Sequence, residues 1–272
     1  MNSPAEVAKN YIGIGTGKVN TSIGKMFVLA ILAGMFIGFA GLGASTLSST
    51  IQTASVAKFA GAAVFPGGLA MVLVAGSELF TGNCLLIIPL MRKKVTVAGV
   101  LKNWIVVYAG NFVGSIIVSG IAAGSGQPGL FSNAVAITHM STAAAKCSLA
   151  FGPAFLKGIA CNFLVCIAVW MAFAAKDVAG KIIGLYFPIM LFVLEGFEHS
   201  VANMYYISIG LFCKSNEAYM AAAQQAGLDL SNLTWGNFFA GNLLPVTLGN
   251  IVGGSIFVGL AYWYTYLQGK ED

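Results

Sequence analysis

The chain has 272 residues, 58% of them hydrophobic and 8% charged, with a formal net charge of +5. Soluble domains carry about 25% charged residues, so a mostly water-facing surface is excluded and the solvent for most of this chain is a lipid bilayer. The basic residues are scattered between apolar runs and make no nucleic-acid footprint. The five cysteines (Cys84, Cys147, Cys161, Cys166, Cys213) form no CxxC pair. They read as small buried hydrophobes, with no metal site and no cofactor expected.

Residues 1–22 are polar and Gly-containing. They lack the basic start, short apolar core and cleavage site of a signal peptide and suit a short amphipathic helix at the membrane surface. Apolar runs follow near 23–48, 60–91, 97–124, 154–175, 182–212 and 236–267. Each supplies the roughly 20 residues that a helix needs to span a bilayer. The expectation is therefore an all-α membrane protein: a cytoplasmic segment over 1–22 and one six-helix domain over 23–268. The polar connections 125–153 and 213–235 are too short for a second domain.

With the N-terminus inside, the inner segments hold ten basic residues: Lys9, Lys18, Lys25, Arg92, Lys93, Lys94, Lys102, Lys176, Lys181 and Lys270. The outer segments hold four, Lys58, Lys146, Lys157 and Lys214. This is a positive-inside bias. It places both termini in the cytoplasm and the chain as a multi-pass protein of the plasma (inner) membrane.

An internal repeat is also legible. Lys25 opens span 1 and Lys157 opens span 4; Phe65-Pro66 begins span 2 and Phe187-Pro188 begins span 5. Asn103 and Asn111 in span 3 share their spacing with Asn242 and Asn250 in span 6. Three spans per half is odd, so the second half enters from the opposite side. Interrupted segments at corresponding places in inverted halves point to a transport site.

The interruptions are Ser77-Glu78-Leu79-Phe80-Thr81-Gly82-Asn83 and Gly196-Phe197-Glu198-His199-Ser200-Val201-Ala202-Asn203. Ionisable residues inside membrane segments are costly and usually face a pore or a bundle interior. Gly76, Gly82 and Gly196 permit the torsions that open a helix, though close helix packing also uses glycine. His199 can donate, accept and titrate near neutrality; a structural hydrogen bond between helices is the alternative. Glu78 and Glu198 are read as supports for freed backbone amides at the breaks, since a carboxylate in the path repels anions. Asn83, Asn203, Asn111 and Asn250 can serve the same breaks or a solute. Lys146 either draws anions to a pore mouth or snorkels at the interface. His139 reads as a loop residue. Phe65, Leu69, Leu79, Phe80, Val165 and Phe192 suit apolar constrictions or ordinary packing.

Glu78–Asn83, Gly196–Met204, Asn242–Asn250 and the Cys161–Met171 stretch of span 4 resemble the signatures of the formate/nitrite transporter family, and the similarity runs from about residue 20 to 265. The resemblance implies an aquaporin-like protomer, a homopentamer with one pore per subunit, and a gating loop at 77–83. It implies a central His199 with Thr81, an outer slit with Phe65, Val165 and Phe192, and a cytoplasmic slit with Leu69, Leu79 and Phe80. Lys146 and Asn162 fall where the family has an outer basic group and a pore-side amide. Family substrates are small monovalent anions such as formate, nitrite and hydrosulfide. The loop sequence Thr81-Gly82-Asn83-Cys84 leans toward a hydrosulfide-type member.

The expected function is a channel or proton-linked carrier for such an anion. An aquaporin-like channel for neutral solutes is the main alternative, against which the missing Asn-Pro-Ala motifs argue. A membrane enzyme using His199 and Glu198 lacks any accompanying nucleophile, metal set or cofactor fingerprint.

Overall fold

A computed structural model describes residues 1–269; Lys270, counted above among the inner basic residues, lies outside the described residues. Among the described residues every regular element is helical. Five helical stretches are long and apolar enough to cross a membrane: Ile23–Ser48, Ala54–Val74, Val97–Gly124, Phe151–Ala174 and Asn237–Tyr266. The expected span near 182–212 is split, and neither piece has that length.

The elements in order are α1 (Pro4–Asn20), α2 (Ile23–Ser48), α3 (Ala54–Val64), α4 (Pro66–Val74), a 3₁₀ turn (Gly82–Leu86), α5 (Ile87–Met91) and α6 (Val97–Gly124). Then come α7 (Ala134–Cys147), α8 (Phe151–Ala174), α9 (Val178–Leu194), α10 (Ser200–Lys214) and α11 (Glu217–Gln225). The last span alternates π-helix (Asn237–Leu243, Val252–Leu260) with α12 (Leu244–Ile251) and α13 (Ala261–Tyr266).

Helix α1 forms where only a weak amphipathic signal stood. Pro4 opens it, and Ser3 and Glu6 close a capping box in which the Ser3 amide donates to the Glu6 carboxylate at 2.6 Å. Those hydrogen bonds from Ser3 hold the Glu6 carboxyl below the usual carboxylate range. The helix buries Val7, Ala8 and Tyr11 in the main core, with Tyr11 edge-on to Phe173.

The connection 125–153 is not the loop expected. Its middle folds as α7, which buries His139 against α10 in edge contact with Tyr205. The helix went unread because Thr, Ser, His and Lys dilute its apolar face below what a span needs. His139 is thus a buried helical residue.

A constant offset of 128 residues relates Phe27 to Phe155 and Ile31 to Ile159, and one of 139 relates Gly110 to Gly249 and Gly114 to Gly253. A Cβ on Gly110 or Gly114 would run into the carbonyls of Phe27 or Ile31; on Gly249 or Gly253 it would run into those of Phe155 or Ile159. The last span therefore packs on α8 as α6 packs on α2, with backbones in near contact. Two sequence landmarks need correction. The counterpart of Lys157 is Leu29, four residues beyond Lys25. Pro66 starts α4, whereas Pro188 lies inside an unbroken α9, so the two Phe-Pro pairs are not equivalent.

Candidate functional site

Two broken helices meet at the centre. Helix α4 stops at Gly76 (φ +81°) and α9 at Gly196 (φ +72°), both in the left-handed region that glycine adopts freely. In each, the next amide reaches back five residues, Ser77 to the Val72 carbonyl and Phe197 to the Phe192 carbonyl, both at 3.0 Å. That is the Schellman ending. Gly82, by contrast, only opens a 3₁₀ turn with a normal φ.

A short non-helical segment follows each ending, and buried backbone groups there need partners. Asparagine side chains supply them. Asn111 Nδ2 donates to the Ala30 and Glu78 carbonyls at 2.7 and 2.9 Å, and its Oδ1 accepts from the Phe80 amide at 2.9 Å. Asn250 Nδ2 donates to the Gly158 and Glu198 carbonyls at 2.8 and 3.0 Å, and its Oδ1 accepts from the Ser200 amide at 2.9 Å. The two sets are the same construction made twice.

The glutamates do a different job from the one expected. Glu78 accepts from Lys18 Nζ at 2.8 Å and from Asn83 Nδ2 at 2.6 Å. Glu198 accepts from Lys146 Nζ at 2.9 and 3.1 Å and from Asn203 Nδ2 at 2.6 Å. Asn83 also donates to Asn103 at 2.9 Å, and Asn203 to Asn242 at 2.7 Å. Each carboxylate is thereby tied to a neighbouring helix, α1 or α7, and holds no break amide.

At His199 the duplication ends, because the matching position of the first break is Leu79. His199 caps α10: its Nδ1 accepts from the Ala202 amide at 3.0 Å. The neutral ring then carries its proton on Nε2, which lies 2.8 Å from Thr81 Oγ1, so Nε2 donates and the hydroxyl accepts. Phe192 stacks on the ring at 5.8 Å between centroids. Thr81 and His199 are buried.

A cavity lies on each side of this contact. One, of about 560 Å³, is lined by Lys58, Phe65, Lys146, Lys157, Phe192 and His199 among others. The other, of about 330 Å³, is lined by Tyr11, Lys18, Leu69, Leu79, Glu78 and Phe173 among others. Lys157 and Phe173 sit at opposite ends of α8, about 24 Å apart at 1.5 Å per residue. The cavities therefore open toward opposite ends of the bundle. No group of three His, Cys, Asp or Glu residues that could hold a metal occurs among the described residues.

Residues 5–264 match the family model described as formate/nitrite transporter. The chain belongs to the formate/nitrite transporter family. It is 41% identical to a probable formate transporter of Methanothermobacter thermautotrophicus, over 98% of this chain and 97% of the relative. It is 35% identical to the formate channel FocA of Escherichia coli strain K12, over 98% of this chain and 95% of that one. Among solved structures, one described as a pentameric formate channel with formate bound is 36% identical, with a TM-score of 0.81 over 90% of this chain and 98% of its own. The chain is therefore a multi-pass membrane transport protein and not an enzyme.

Within this formate/nitrite transporter, three of the expected pathway residues are held by partners. Asn250 donates its amide hydrogens to the Gly158 carbonyl of α8 and the Glu198 carbonyl of the break, and its oxygen accepts from the Ser200 amide. Asn162 is likewise occupied: Nδ2 donates to the Thr81 carbonyl at 3.1 Å and the Asn250 carbonyl at 2.6 Å, lacing the two breaks together. Lys146 is ion-paired with Glu198 and sits over the Tyr206 ring at 5.5 Å, so it is no free charge. Of the six apolar candidates, Phe65 and Phe192 line the first cavity, in edge contact at 5.7 Å, and Leu69 and Leu79 line the second. Phe80 instead packs edge-on to Trp104 and Tyr108. Val165 is buried in the main core. Sequence reasoning missed Lys18 as the twin of Lys146. The signal was present, since the offset of 128 that joins Leu29 to Lys157 also joins Lys18 to Lys146.

Proposed function

We propose that this protein is a channel through which formate crosses the plasma (inner) membrane, with the path running from one cavity to the other past His199 and Thr81. The observation that carries the reading is the buried Thr81–His199 hydrogen bond at 2.8 Å, set between cavities that open at opposite ends of the bundle. The relatives bear on the substrate: those named above are described as formate channels or transporters. Nitrite and hydrosulfide are the same class of anion, and the loop 81–84 still makes hydrosulfide the natural competitor.

The chemistry follows from burial. A monovalent anion leaving the first cavity loses its water between Phe65 and Phe192 and regains it only past Leu69 and Leu79. Removing a charge from water without a partner is expensive, while the neutral acid pays far less. The Nε2 proton of His199 points at Thr81 along this stretch. It can hydrogen-bond a carboxylate oxygen. If the ring first takes a second proton on Nδ1, releasing the Ala202 amide, it can pass the Nε2 proton to the anion, so that a neutral acid moves on and a neutral ring remains. Thr81 keeps its own hydroxyl hydrogen for the same solute.

The same reading takes the duplicated contacts as two inverted three-span repeats with broken second members, six spans in all, in an aquaporin-like protomer. It takes residues 1–22 and the C-terminus as cytoplasmic, and the Lys146 cavity as outer. It takes the assembly as a homopentamer, which the pentameric formate channel at 36% identity supports. Proteoliposomes loaded side by side with formate, nitrite and hydrosulfide test the substrate. Formate flux well above that of empty vesicles supports the reading; flux of glycerol or water alone would replace it with a neutral-solute channel.

A further inference from the structure

The two cavities are built alike but charged differently. The Glu198 amide donates to the Lys157 carbonyl and the Glu78 amide to the Leu29 carbonyl, both at 3.3 Å, so Lys157 and Leu29 hold equivalent places. Lys157 lines the first cavity where Leu29 lines the second. Lys58 lines the first cavity as well, and its Nζ lies 3.9 Å from where a Cβ on Gly196 would stand. Lys18 and Glu78 cancel in the second cavity, and Lys146 and Glu198 cancel in the first. Glu195, beside Gly196, is exposed and is not part of the cavity wall. Among the described residues, Lys58 and Lys157 have no hydrogen-bond or ion-pair partner. The first cavity therefore holds two uncompensated ammonium groups and the second holds none.

We propose that Lys58 and Lys157 form a binding site for a dianion, such as sulfate or a short dicarboxylate, that occludes the path from this side only. The binding part stands on the cavity alone; the occlusion part rests on the cavity being a mouth of the path. A permeant monovalent anion can satisfy one ammonium, whereas a dianion satisfies both. Space is not limiting: the cavity is about 560 Å³, against the roughly 30 Å³ that one water takes in the liquid. On the proposed path a dianion cannot continue, because the way onward passes the Phe65 and Phe192 rings, which line this cavity in edge contact, and two charges would have to be desolvated there. Focusing of field lines in a low-dielectric cleft strengthens the attraction over that of two lysines on an open surface.

Malonate is a suitable probe, with titration calorimetry on the purified protein at fixed ionic strength. Lys157→Leu installs the residue that the equivalent position already carries, so its packing is precedented in this same chain; Lys58→Ala is the second variant. We expect malonate to bind the parent protein and to bind each variant about fivefold more weakly, the change that about 1 kcal/mol gives. In proteoliposomes of mixed orientation, malonate on one side should block part of the formate flux, and malonate on both sides should block nearly all of it. Malonate binding that is absent in the parent, or unchanged in both variants, overturns the site. Binding that leaves formate flux untouched overturns the occlusion. If no formate flux is found at all, the substrate reading fails, while the calorimetry still decides the site.

Discussion

Among single residues, Thr81 shows how little the sequence says about what a hydroxyl touches. Its position inside a break was legible, and its partner His199 was named only through family resemblance. Thr81→Ala removes the acceptor of the Nε2–H bond, and one such bond is worth about 1–1.5 kcal/mol. Formate flux at a fixed gradient should change by about fivefold or more, with assembly intact; equal flux and equal ion preference in parent and mutant would contradict the placement. Lys146 is the opposite case. The sequence offered a free charge or a snorkelling one, and the structure spends it on Glu198 at 2.9 Å. Lys146→Ala leaves a mostly buried carboxylate without its cation, which typically costs about 3–5 kcal/mol. The mutant should lose thermal stability by several degrees at both low and high salt. A purely salt-screened loss of uptake, with stability unchanged, would return Lys146 to the role of a lone attractor.

Helices α4 and α9 end as the sequence suggested, at glycines, but their backbone is satisfied from elsewhere. The spacing of Asn103 and Asn111, repeated in Asn242 and Asn250, was visible; the use of Asn111 and Asn250 as clamps on both breaks was not, since it depends on how α6 and the last span cross them. Either Asn→Ala change strands one amide (Phe80 or Ser200) and one break carbonyl (Glu78 or Glu198), and an unsatisfied buried group costs about 1–3 kcal/mol. Asn111→Ala and Asn250→Ala should therefore give low yields of folded protein or a markedly lower unfolding temperature, whereas full-yield, wild-type melting would show that water replaces the clamp. Helix α1 is held at its start by the Ser3–Glu6 box, and the Glu6 carboxyl lies below its usual range because Ser3 donates to it. A depressed folded-state carboxyl stabilises above the unfolded value and loses that contribution as pH falls through the folded one. Amide hydrogen exchange over residues 3–10 should thus accelerate in acid relative to neutral pH after correction for intrinsic rates. Glu6→Gln should remove most of that extra acceleration; if it persists, the box is not its source.

For the molecule as a whole, composition gave a membrane solvent and the lengths of the apolar runs gave an all-helical fold, because both depend on sums over many residues. The repeat was only partly legible. Gly110, Gly114, Gly249 and Gly253 mark close backbone contact and stand out, but Lys25 and the Phe-Pro pairs misled, since a one-turn shift leaves an apolar run equally apolar. Sidedness is testable because all five native cysteines are buried. Lys9→Cys and Asp229→Cys should react with an impermeant thiol reagent from opposite sides of the membrane, and labelling of both from one side would break the topology. The path itself meets its most direct test at His199. Asparagine there can still accept from the Ala202 amide as an N-cap, so α10 keeps its start, but it cannot titrate. We would record formate flux from pH 5 to 8 in proteoliposomes of the parent and of His199→Asn, after confirming equal assembly. The account predicts a pH-dependent parent and a mutant whose own flux no longer follows pH; superimposable profiles would contradict a proton-exchanging imidazole on the path.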